Sequence, residues 1–383
     1  MNCPLQAKRC GGCSRLSVPY QKQLMYKQEK VRKLFACAAP IIGMKEPVHY
    51  RNKVISAFSH DKSGLISGMY AFGTHYVLPV DSCLLENARA DEIICELRKI
   101  LAAHGIRAYD ENSKKGLIRF AVVRYAQKTK QGLVTIVTAR REFPCGAEVA
   151  EELNHACPDV RTVVQNVNDR AGSAVMGFHE TVLFGDGRIE DELCGLTLQL
   201  SSRAFYQVNS PQTEKLYQAA IEMAQVSRED HVLDAYCGIG VIGLLAAKKA
   251  DRVTGIELNA DAVHLAIENA AKNKIDNIEF IQGDTARVME TLDRPFSVAF
   301  LDPPRAGCDE AFLRSLCAAA PKKICYIACD IMTQARDAQY LKSHGYSVIA
   351  AQPVDMFPHT DHIEMIVLFS KTNAKAPSPS VSK

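Results

Sequence analysis

The sequence predicts an α/β protein of two parts, and three observations support this fold class. The chain has 383 residues, more than one ordinary hydrophobic core needs. From about Pro211 onward, short apolar strands alternate with helical stretches, which is typical of a doubly wound, mainly parallel sheet. Before that point, β-branched segments with occasional helical periodicity indicate a smaller α+β region. We expect domains at residues 1–200 and 201–370 and a flexible tail at 371–383.

The composition excludes several classes of protein. With 47% hydrophobic and 23% charged residues, the chain is neither disordered nor fibrous. Neither a secretory signal nor an apolar run of membrane-spanning length is evident, so we expect a cytoplasmic protein. In that compartment the 14 cysteines are expected to be reduced, metal-bound or catalytic rather than paired in disulfides.

Basic residues are concentrated in two places. Residues 1–60 contain eleven Lys and Arg against two acids, so their net charge is +9 and that of the remainder is −6. The segments "LIRFAVVRYA" and "GLVTIVTARR" predict a hairpin with basic residues at Arg119, Arg124, Lys128, Lys130, Arg140 and Arg141. Such blocks indicate a polyanionic partner, although a solvated surface is the alternative.

A glycine turn follows the first strand of the second half. The strand "HVLDAY" leads into Gly238 and Gly240, where glycine allows a ligand to approach the backbone. Glu257 ends the next strand, nineteen residues after Gly238, and an acid there accepts hydrogen bonds from ribose hydroxyls. A third glycine, Gly243, has the spacing that NAD-binding proteins use, so the turn by itself leaves NAD open.

Further carboxylates at the strand ends favour S-adenosylmethionine over NAD. Asp234 precedes the glycine turn, and Asp284 follows the third strand. Such acids suit a cofactor with a cationic amino-acid end better than one with a pyrophosphate. The fourth strand ends in "LDPPR", where two prolines stiffen the loop that holds Asp302. A loop or cap role is the alternative for each acid.

Two residues of the last strands are candidates for catalysis. The strand "KICYIAC" brings Cys329 to the same edge, and a thiolate there can add to an electron-poor carbon. Glu364, in "HTDHIEMI" beside His359, Asp361 and His362, is a candidate general base. The alternatives are a buried structural cysteine and an ordinary strand glutamate.

Four cysteines near the N-terminus form a candidate metal site. Cys3, Cys10 and Cys13 lie in "NCPLQAKRCGGCSRL", and Cys83 follows in "VLPVDSCLL". Four thiolates suit zinc or an iron-sulfur cluster, and their spacing leaves both open.

Several motifs occur together in one order. They are "YRNK", "AFYQVNSPQTEKLY", "LDAYCGIGVIGL", "GIELN", "LDPPR", the Cys329 segment with "ARD", and "DMFPHTDHIE". In these motifs the chain resembles the RNA uracil-carbon-5 methyltransferases, which use S-adenosylmethionine to make 5-methyluridine in tRNA and large-subunit rRNA. The resemblance implies a Rossmann-like methyltransferase domain and an α+β region with an iron-sulfur site. It is greatest to bacterial 23S rRNA members that have a 4Fe-4S cluster and no N-terminal TRAM domain.

The resemblance also implies roles for individual residues. Cys329 would attack carbon 6 of uracil, and Glu364 would remove the proton from carbon 5. Contacts with the cofactor or target base would come, beyond Gly238 and Gly240, from Gln207, Tyr236, Glu257, Asp284 and Asp302. The resemblance favours a 4Fe-4S cluster at Cys3, Cys10, Cys13 and Cys83. One departure is Asp330-Ile331 where the family commonly has Asn-Pro, and an ionised Asp330 would raise the pKa of the Cys329 thiol.

We therefore expect an RNA (uracil-5-)-methyltransferase that acts as a monomer on rRNA through a covalent adduct. A tRNA substrate is the first alternative, and an NAD-dependent iron-sulfur oxidoreductase or a non-enzymatic iron-sulfur RNA-binding protein are the others. A uracil in a helix is inaccessible, so the target must be unpaired or flipped out, with Phe205 or Tyr206 as stacking candidates.

Overall fold

The structure is a computed structural model that describes residues 3–170, 172, 174–292 and 294–372. Most of the predicted tail at 371–383 therefore lies outside the described residues. The chain forms two compact units, each built from several stretches. The first unit comprises Met1–Gln23, Lys45–Pro211 and Pro358–Asp361. The second comprises Leu24–Met44, Gln212–Phe357 and His362–Lys383.

The described residues contain nine helices and sixteen strands. The helices are α1 Tyr20–Leu34, α2 Ala88–Ala103, α3 Gly146–Ala156, α4 Ser210–Ala224, α5 Val241–Ala247, α6 Ala260–Lys272, α7 Thr285–Thr291, α8 Glu310–Ala319 and α9 Ile331–Ser343. The strands are β1 Lys53–Asp61, β2 Gly64–Tyr70, β3 Val77–Pro79, β4 Ile118–Ala126, β5 Gln131–Thr138, β6 Val160–Val167, β7 His179–Phe184, β8 Arg188–Leu193, β9 Leu196–Ser201, β10 His231–Ala235, β11 Arg252–Glu257, β12 Ile278–Gln282, β13 Val298–Leu301, β14 Lys323–Ala328, β15 Tyr346–Val354 and β16 Glu364–Lys371.

The first unit is built on a seven-stranded sheet in the order β3-β2-β1-β4-β5-β6-β7. The predicted basic hairpin is confirmed as β4 and β5, which pair antiparallel. Alternate side chains of the strands, such as Val123 and Ile136, pack in one core with Ile93 and Leu97 of α2 and with Val149 of α3. One face of this sheet is therefore covered by helices.

The opposite face of that sheet has a smaller apolar cluster. Ala57 of β1, Phe120 and Val122 of β4, and Val137 of β5 belong to it. The two-stranded sheet of β8 and β9 lies beside part of this face, since β8 contacts β4, β5 and β6. Val175 and Met176, which precede β7, also pack against this cluster.

The second unit has a seven-stranded sheet in the order β12-β11-β10-β13-β14-β16-β15. The first five strands are parallel, while β16 lies antiparallel between β14 and β15. This confirms the predicted doubly wound sheet. Because the chain order reverses on the two sides of β10, the carboxyl ends of β10 and β13 form the crevice where open α/β sheets bind ligands.

The core of the second unit includes residues from α1, far upstream in the chain. Val31 of this helix and Phe35, which directly follows it, belong to the same buried cluster as Tyr326 of β14. Lys27 is also buried, and its ammonium lies 2.6 Å from a carboxylate oxygen of the equally buried Asp355. The predicted assignment of the basic first 60 residues to RNA contacts is therefore wrong for Lys27. Within the described residues, no helix is long and apolar enough to cross a membrane.

Candidate active site

The glycine turn after β10 has the backbone shape that its sequence predicts. Tyr236, Gly238 and Gly240 have positive φ angles of 63°, 53° and 86°, and a left-handed conformation favours glycine. A Cβ atom added to Gly238 would meet nothing within 4 Å, so the turn borders open space. The Glu257 carboxylate accepts hydrogen bonds from the Gly238 amide at 3.0 Å and the Asn259 amide at 2.8 Å. Glu257 therefore stabilises the glycine turn beside which it is predicted to bind ribose hydroxyls.

The third glycine has a packing role. The buried Asp234 accepts a hydrogen bond from the Gly243 amide at 2.7 Å. A Cβ atom on Gly243 would stand 2.8 Å from the same carboxylate oxygen, so only glycine fits there. Burial, with the nearby charges of Asp302 and Glu257, raises the pKa of Asp234 to about 8. Its other oxygen has no hydrogen-bond partner among the described residues.

The other predicted cofactor residues occupy different settings. Asp284 is exposed and caps α7, where its carboxylate accepts from the Arg287 amide at 3.2 Å. The Tyr236 ring packs edge-on against Phe312 with centroids 5.3 Å apart. Gln207 is buried in the first unit, where its backbone carbonyl accepts from the Asn52 side chain at 3.0 Å. The contacts of these residues with the cofactor stay predictions.

The two candidate catalytic residues leave neighbouring strands at the same end of the sheet. Ala328 of β14 pairs with Met365 of β16 in the antiparallel register. Cys329 directly follows Ala328, and Glu364 directly precedes Met365. The two residues therefore lie opposite each other, and such neighbours on paired strands are close. The Cys329 side chain is half-buried, whereas Glu364 is 2% exposed.

The charges around these residues act on one another. Burial and then the Glu364 carboxylate raise the pKa of the Cys329 thiol, as does Asp302, while the Arg305 guanidinium opposes them. Burial and the Asp302 charge raise the pKa of Glu364 well above its usual value. Burial also raises the pKa of Asp302 to about 7. Cys329, Glu364 and Asp302 thus form one acidic group with Arg305 as its cation, and a carboxyl with a raised pKa is suited to accept a proton.

Sequence reasoning missed two polar residues on the buried side of α9. Gln334 donates hydrogen bonds to the backbone carbonyls of Tyr326 at 2.9 Å and Met365 at 3.1 Å. It therefore ties β14 to β16 beside the two catalytic candidates. The "ARD" motif pointed to Asp337 on the same helix. The hydrogen-bond partners of Gln334 and Asp337 are known only from the fold.

Asp337 holds the loop that follows β13. One of its oxygens accepts from the Tyr326 hydroxyl at 2.7 Å and from the Cys308 amide at 2.9 Å. Its other oxygen accepts from Arg336 at 2.8 Å. Thr333, on the same helix, donates to the Arg305 carbonyl at 3.2 Å. Helix α9 therefore anchors the loop from which Asp302 and Arg305 reach the site.

The carboxylate next to Cys329 is used by the helix. Asp330 is the N-cap of α9 and accepts hydrogen bonds from the amides of Met332 at 2.8 Å and Thr333 at 3.2 Å. An N-cap of this kind satisfies amides that the first helical turn leaves free. The carboxylates that raise the pKa of the Cys329 thiol are Glu364 and Asp302.

The N-terminal cysteines lie in the first unit and are partly buried. Burial and the neighbouring thiols, including Cys3, raise the pKa values of Cys10 and Cys13. Burial raises the pKa of Cys83 to about 12. Across residues 3–170, 172, 174–292 and 294–372, no group of three His, Cys, Asp or Glu side chains is arranged to hold a metal ion. The donor chemistry suits a metal cluster, but the side chains do not converge into a cage.

Two of the basic hairpin residues are structural. Arg119 is buried, pairs with Glu111 and donates to the Asn168 carbonyl at 2.7 Å. Arg124 is buried and donates to the Ala204 carbonyl at 2.7 Å, and burial lowers the pKa of its guanidinium to about 10. The expectation that both contact RNA phosphates is therefore wrong, because their partners are supplied by the fold.

One of the two stacking candidates is also structural. Tyr206 is 5% exposed, and its hydroxyl donates to the Asp191 carboxylate at 3.1 Å. Phe205 is 69% exposed and remains available.

Comparisons with known proteins agree on one family. The model of the family described as tRNA (Uracil-5-)-methyltransferase matches residues 19–372. A protein of Bacillus cereus (strain ATCC 10987 / NRS 248) named uncharacterized RNA methyltransferase is 38% identical over 380 residues, covering 96% of this chain and 82% of that protein. An uncharacterized RNA methyltransferase of Caldanaerobacter subterraneus subsp. tengcongensis is 38% identical over 378 residues, covering 95% of this chain and 83% of its own length.

A solved structure has the same fold. It is the tRNA (uracil-54, C5)-methyltransferase of Pyrococcus abyssi in complex with S-adenosyl-L-homocysteine, with a TM-score of 0.79 and 24% sequence identity. The match covers 94% of this chain and 86% of that one. The methyltransferase family excludes two of the alternatives, an NAD-dependent oxidoreductase and a non-enzymatic RNA-binding protein. The chain belongs to the tRNA (uracil-5-)-methyltransferase family and is an RNA (uracil-5-)-methyltransferase.

Proposed function

We propose that this enzyme methylates carbon 5 of a uridine in 23S rRNA and that Cys329 bonds transiently to carbon 6 of the target uracil. The observation that carries the mechanism is the register of β14 and β16, which brings a thiol and a buried carboxyl together beside the ligand crevice. The choice of rRNA over tRNA rests on the N-terminal cysteine array, which the sequence resemblance associates with the 23S rRNA members.

Both residues are needed because carbon 5 of uracil is a weak nucleophile. Addition of the Cys329 thiolate to carbon 6 moves the electrons of the double bond toward carbon 5 and the 4-carbonyl oxygen. Bound S-adenosylmethionine supplies the methyl group for carbon 5. The Glu364 carboxylate then takes the proton from carbon 5, the double bond re-forms, and the carbon–sulfur bond breaks to release the thiolate.

The strand ends around the turn suit a cationic cofactor. Gly238 borders open space, and Glu257, fixed by two amides, keeps further lone pairs for ribose hydroxyls. Burial raises the pKa values of the Asp234 and Asp302 carboxyls, and a nearby sulfonium or ammonium group would favour their ionised forms. Gln207, Tyr236, Gly240 and Asp284 complete the proposed cofactor site.

An RNA containing 5-fluorouridine tests the covalent step. Fluorine at carbon 5 cannot leave as a proton does, so the adduct should persist and join RNA to Cys329 in the presence of S-adenosylmethionine. Cys329→Ala should give no adduct and no methylation while still binding the cofactor. Cys37→Ala, at an exposed thiol of the same unit, is the matched control. Turnover retained by Cys329→Ala would overturn the mechanism.

The RNA substrate can be identified independently. Mapping of 5-methyluridine in rRNA and tRNA from cells with and without the gene should show a site lost from 23S rRNA. Loss of 5-methyluridine only from tRNA would show that tRNA is the substrate. The proposed chemistry would then still hold.

We also propose that Cys3, Cys10, Cys13 and Cys83 hold a 4Fe-4S cluster. The charge of Glu86 acts on both Cys10 and Cys83. Arg51, whose charge acts on Cys13, has a buried Nε atom with no hydrogen-bond partner among the described residues, and an anionic cluster would suit it. Methyl transfer involves no net transfer of electrons. We therefore expect the cluster to hold the N-terminal loop in place rather than to act in redox chemistry. Iron and acid-labile sulfide should be found in protein purified without oxygen, and zinc alone would overturn the assignment.

We propose a monomer that works in the cytoplasm. All 14 cysteines are free, which suits a reducing compartment. Sedimentation of the purified enzyme tests the monomer, and a stable dimer would contradict it.

A further inference from the structure

The face of the first unit's sheet opposite α2 and α3 carries a small buried apolar cluster with one exposed aliphatic side chain beside it. Ile55 pairs with Val122 and Ala57 pairs with Phe120 across β1 and β4, so these four side chains share the face opposite α2 and α3. Ile55 is 38% exposed there, which is unusual for an aliphatic side chain in the middle of a sheet. Aromatic side chains at the surface of a sheet are a common platform for unpaired bases.

An aromatic cavity of about 500 Å³ lies on this face. Tyr70, Phe72, His75 and Phe120 contribute the rings of its lining, with Ile55 beside them. The Tyr70 ring stands edge-on to Phe120, with centroids 6.3 Å apart, and edge-on to His75 at 5.3 Å. Tyr70 is therefore held in place from two sides.

Phe72 is an exposed ring of the cavity. It is 70% exposed, so most of its surface is free to pack against a ligand. Exposing a ring of this size to water is unfavourable unless a partner covers it part of the time.

The loop bound beside the cavity carries two basic residues. The Phe72 amide donates to the Arg9 carbonyl at 2.8 Å, and the Gly11 amide donates to the Tyr70 carbonyl at 3.2 Å. These bonds fasten the N-terminal loop to the cavity, and Lys8 and Arg9 of that loop are exposed. The described lining residues include no carboxylate.

We propose that this aromatic cavity binds one unpaired base of the RNA substrate. The base stacks on Phe72 and Tyr70, and its flanking phosphates lie on Lys8 and Arg9. A protein partner is the weaker choice, because RNA is this family's substrate and the basic loop complements phosphate. The proposal rests on the proposed function for the identity of the RNA.

The test compares two substitutions at one exposed position. Phe72→Leu keeps an apolar side chain but removes the ring, whereas Phe72→Tyr keeps the ring. Binding of a single-stranded RNA fragment transcribed from 23S rRNA is measured with S-adenosylhomocysteine present. Loss of one stacked ring corresponds to about 5- to 150-fold weaker binding, so Phe72→Leu should weaken binding at least about 5-fold. Phe72→Tyr should bind within about twofold of the wild type.

Three controls separate the outcomes. Ile349→Ala, at a 52% exposed position on β15, should leave RNA binding unchanged. Thermal unfolding should be unchanged in both Phe72 variants, because the ring is largely exposed. At saturating RNA, kcat of Phe72→Leu should equal that of the wild type, since the ring acts in binding.

Equal RNA affinity of Phe72→Leu and the wild type would overturn the cavity assignment, as would equal weakening by the Leu and Tyr variants. A wild type that methylates 23S rRNA while Phe72→Leu binds normally would refute only the cavity. A wild type that makes no 5-methyluridine, with RNA binding still weakened in Phe72→Leu, would refute only the proposed reaction.

Discussion

At the scale of single residues, Arg305 is the positive charge beside the proposed nucleophile. It lowers the pKa of the Cys329 thiol, against the combined effect of burial, Glu364 and Asp302. It also lowers the pKa of Glu364. Because the thiolate is the reactive form, Arg305 determines how much of the enzyme is competent at neutral pH.

Arg305→Gln should therefore move the pH profile of methylation. Removal of the guanidinium raises the pKa of Cys329, so kcat/KM should rise at a pH about one unit higher than in the wild type. Below that pKa the variant should be slower, and the difference should shrink as the pH increases. The rate of Cys329 alkylation against pH measures the same change without RNA.

Two substitutions serve as controls for this shift. Arg305→Lys keeps a charge and should give a smaller displacement. Arg314→Gln removes an exposed arginine from α8 and should give none. An unmoved profile in Arg305→Gln would show that Arg305 does not tune the thiol.

At the scale of elements, α9 connects the two halves of the proposed catalytic group. Its N-cap Asp330 starts the helix directly after Cys329, Gln334 ties β14 to β16, and Asp337 anchors the loop after β13. A short helix with three polar anchors thereby fixes residues that come from three separate strand ends.

Asp337→Asn should reduce catalysis more than cofactor binding. The amide keeps one acceptor oxygen but loses the charge that pairs with Arg336, so the loop with Asp302 and Arg305 should become less well fixed. We expect kcat to fall about tenfold, because small displacements of positioning groups cost this much or more. Single-turnover methylation at a temperature well below unfolding measures the effect.

Asp309→Asn is the matched control for the loop anchor. Asp309 caps α8 by accepting from the Phe312 amide at 2.7 Å, and asparagine is an equally good N-cap. Its kcat should match that of the wild type. A lower melting temperature with unchanged kcat in Asp337→Asn would mean that the carboxylate serves stability alone.

At the scale of the whole molecule, the location of charge decides which basic residues can bind RNA. Arg119, Arg124 and Lys27 are buried and paired within the protein. Lys128 and Lys130, in the turn of the β4–β5 hairpin, are exposed. Only exposed basic side chains can replace the counterions of a phosphate backbone.

The double variant Lys128→Gln, Lys130→Gln should bind RNA less strongly and with a weaker salt dependence. The slope of log affinity against log salt should fall by about 0.7 to 0.9 for each phosphate that the protein no longer neutralises. Titrations between low and moderate salt measure it.

Lys248→Gln, Lys249→Gln makes the same change of charge elsewhere. These exposed lysines follow α5, which runs from the carboxyl edge of the sheet back toward the edge where the strands begin. The slope should be that of the wild type. An equal fall in both double variants would mean that net charge, not the hairpin, governs the salt dependence.

The sequence predicted what depends on local pattern. The alternation after Pro211 indicated the parallel sheet, and glycines with strand-end carboxylates marked the crevice, because neighbouring residues determine both. The burial of Arg119 and Arg124 escaped prediction, since their acceptors are carbonyls of distant loops. Gln334 was missed for the same reason. The strand ends indicated Cys329 as a nucleophile and Glu364 as a base, and the resemblance implied the uracil carbons on which they act.

The second unit draws on three separate stretches of the chain, and this limits how the molecule can be recombined. A chimaera joined at a single point near residue 211 would take α1 from one parent and β15 from the other. Lys27 would then meet a foreign residue at position 355, and an unmatched buried charge costs about 3–5 kcal/mol. Exchange of the second unit between two such chains therefore requires coordinated replacement of all three stretches.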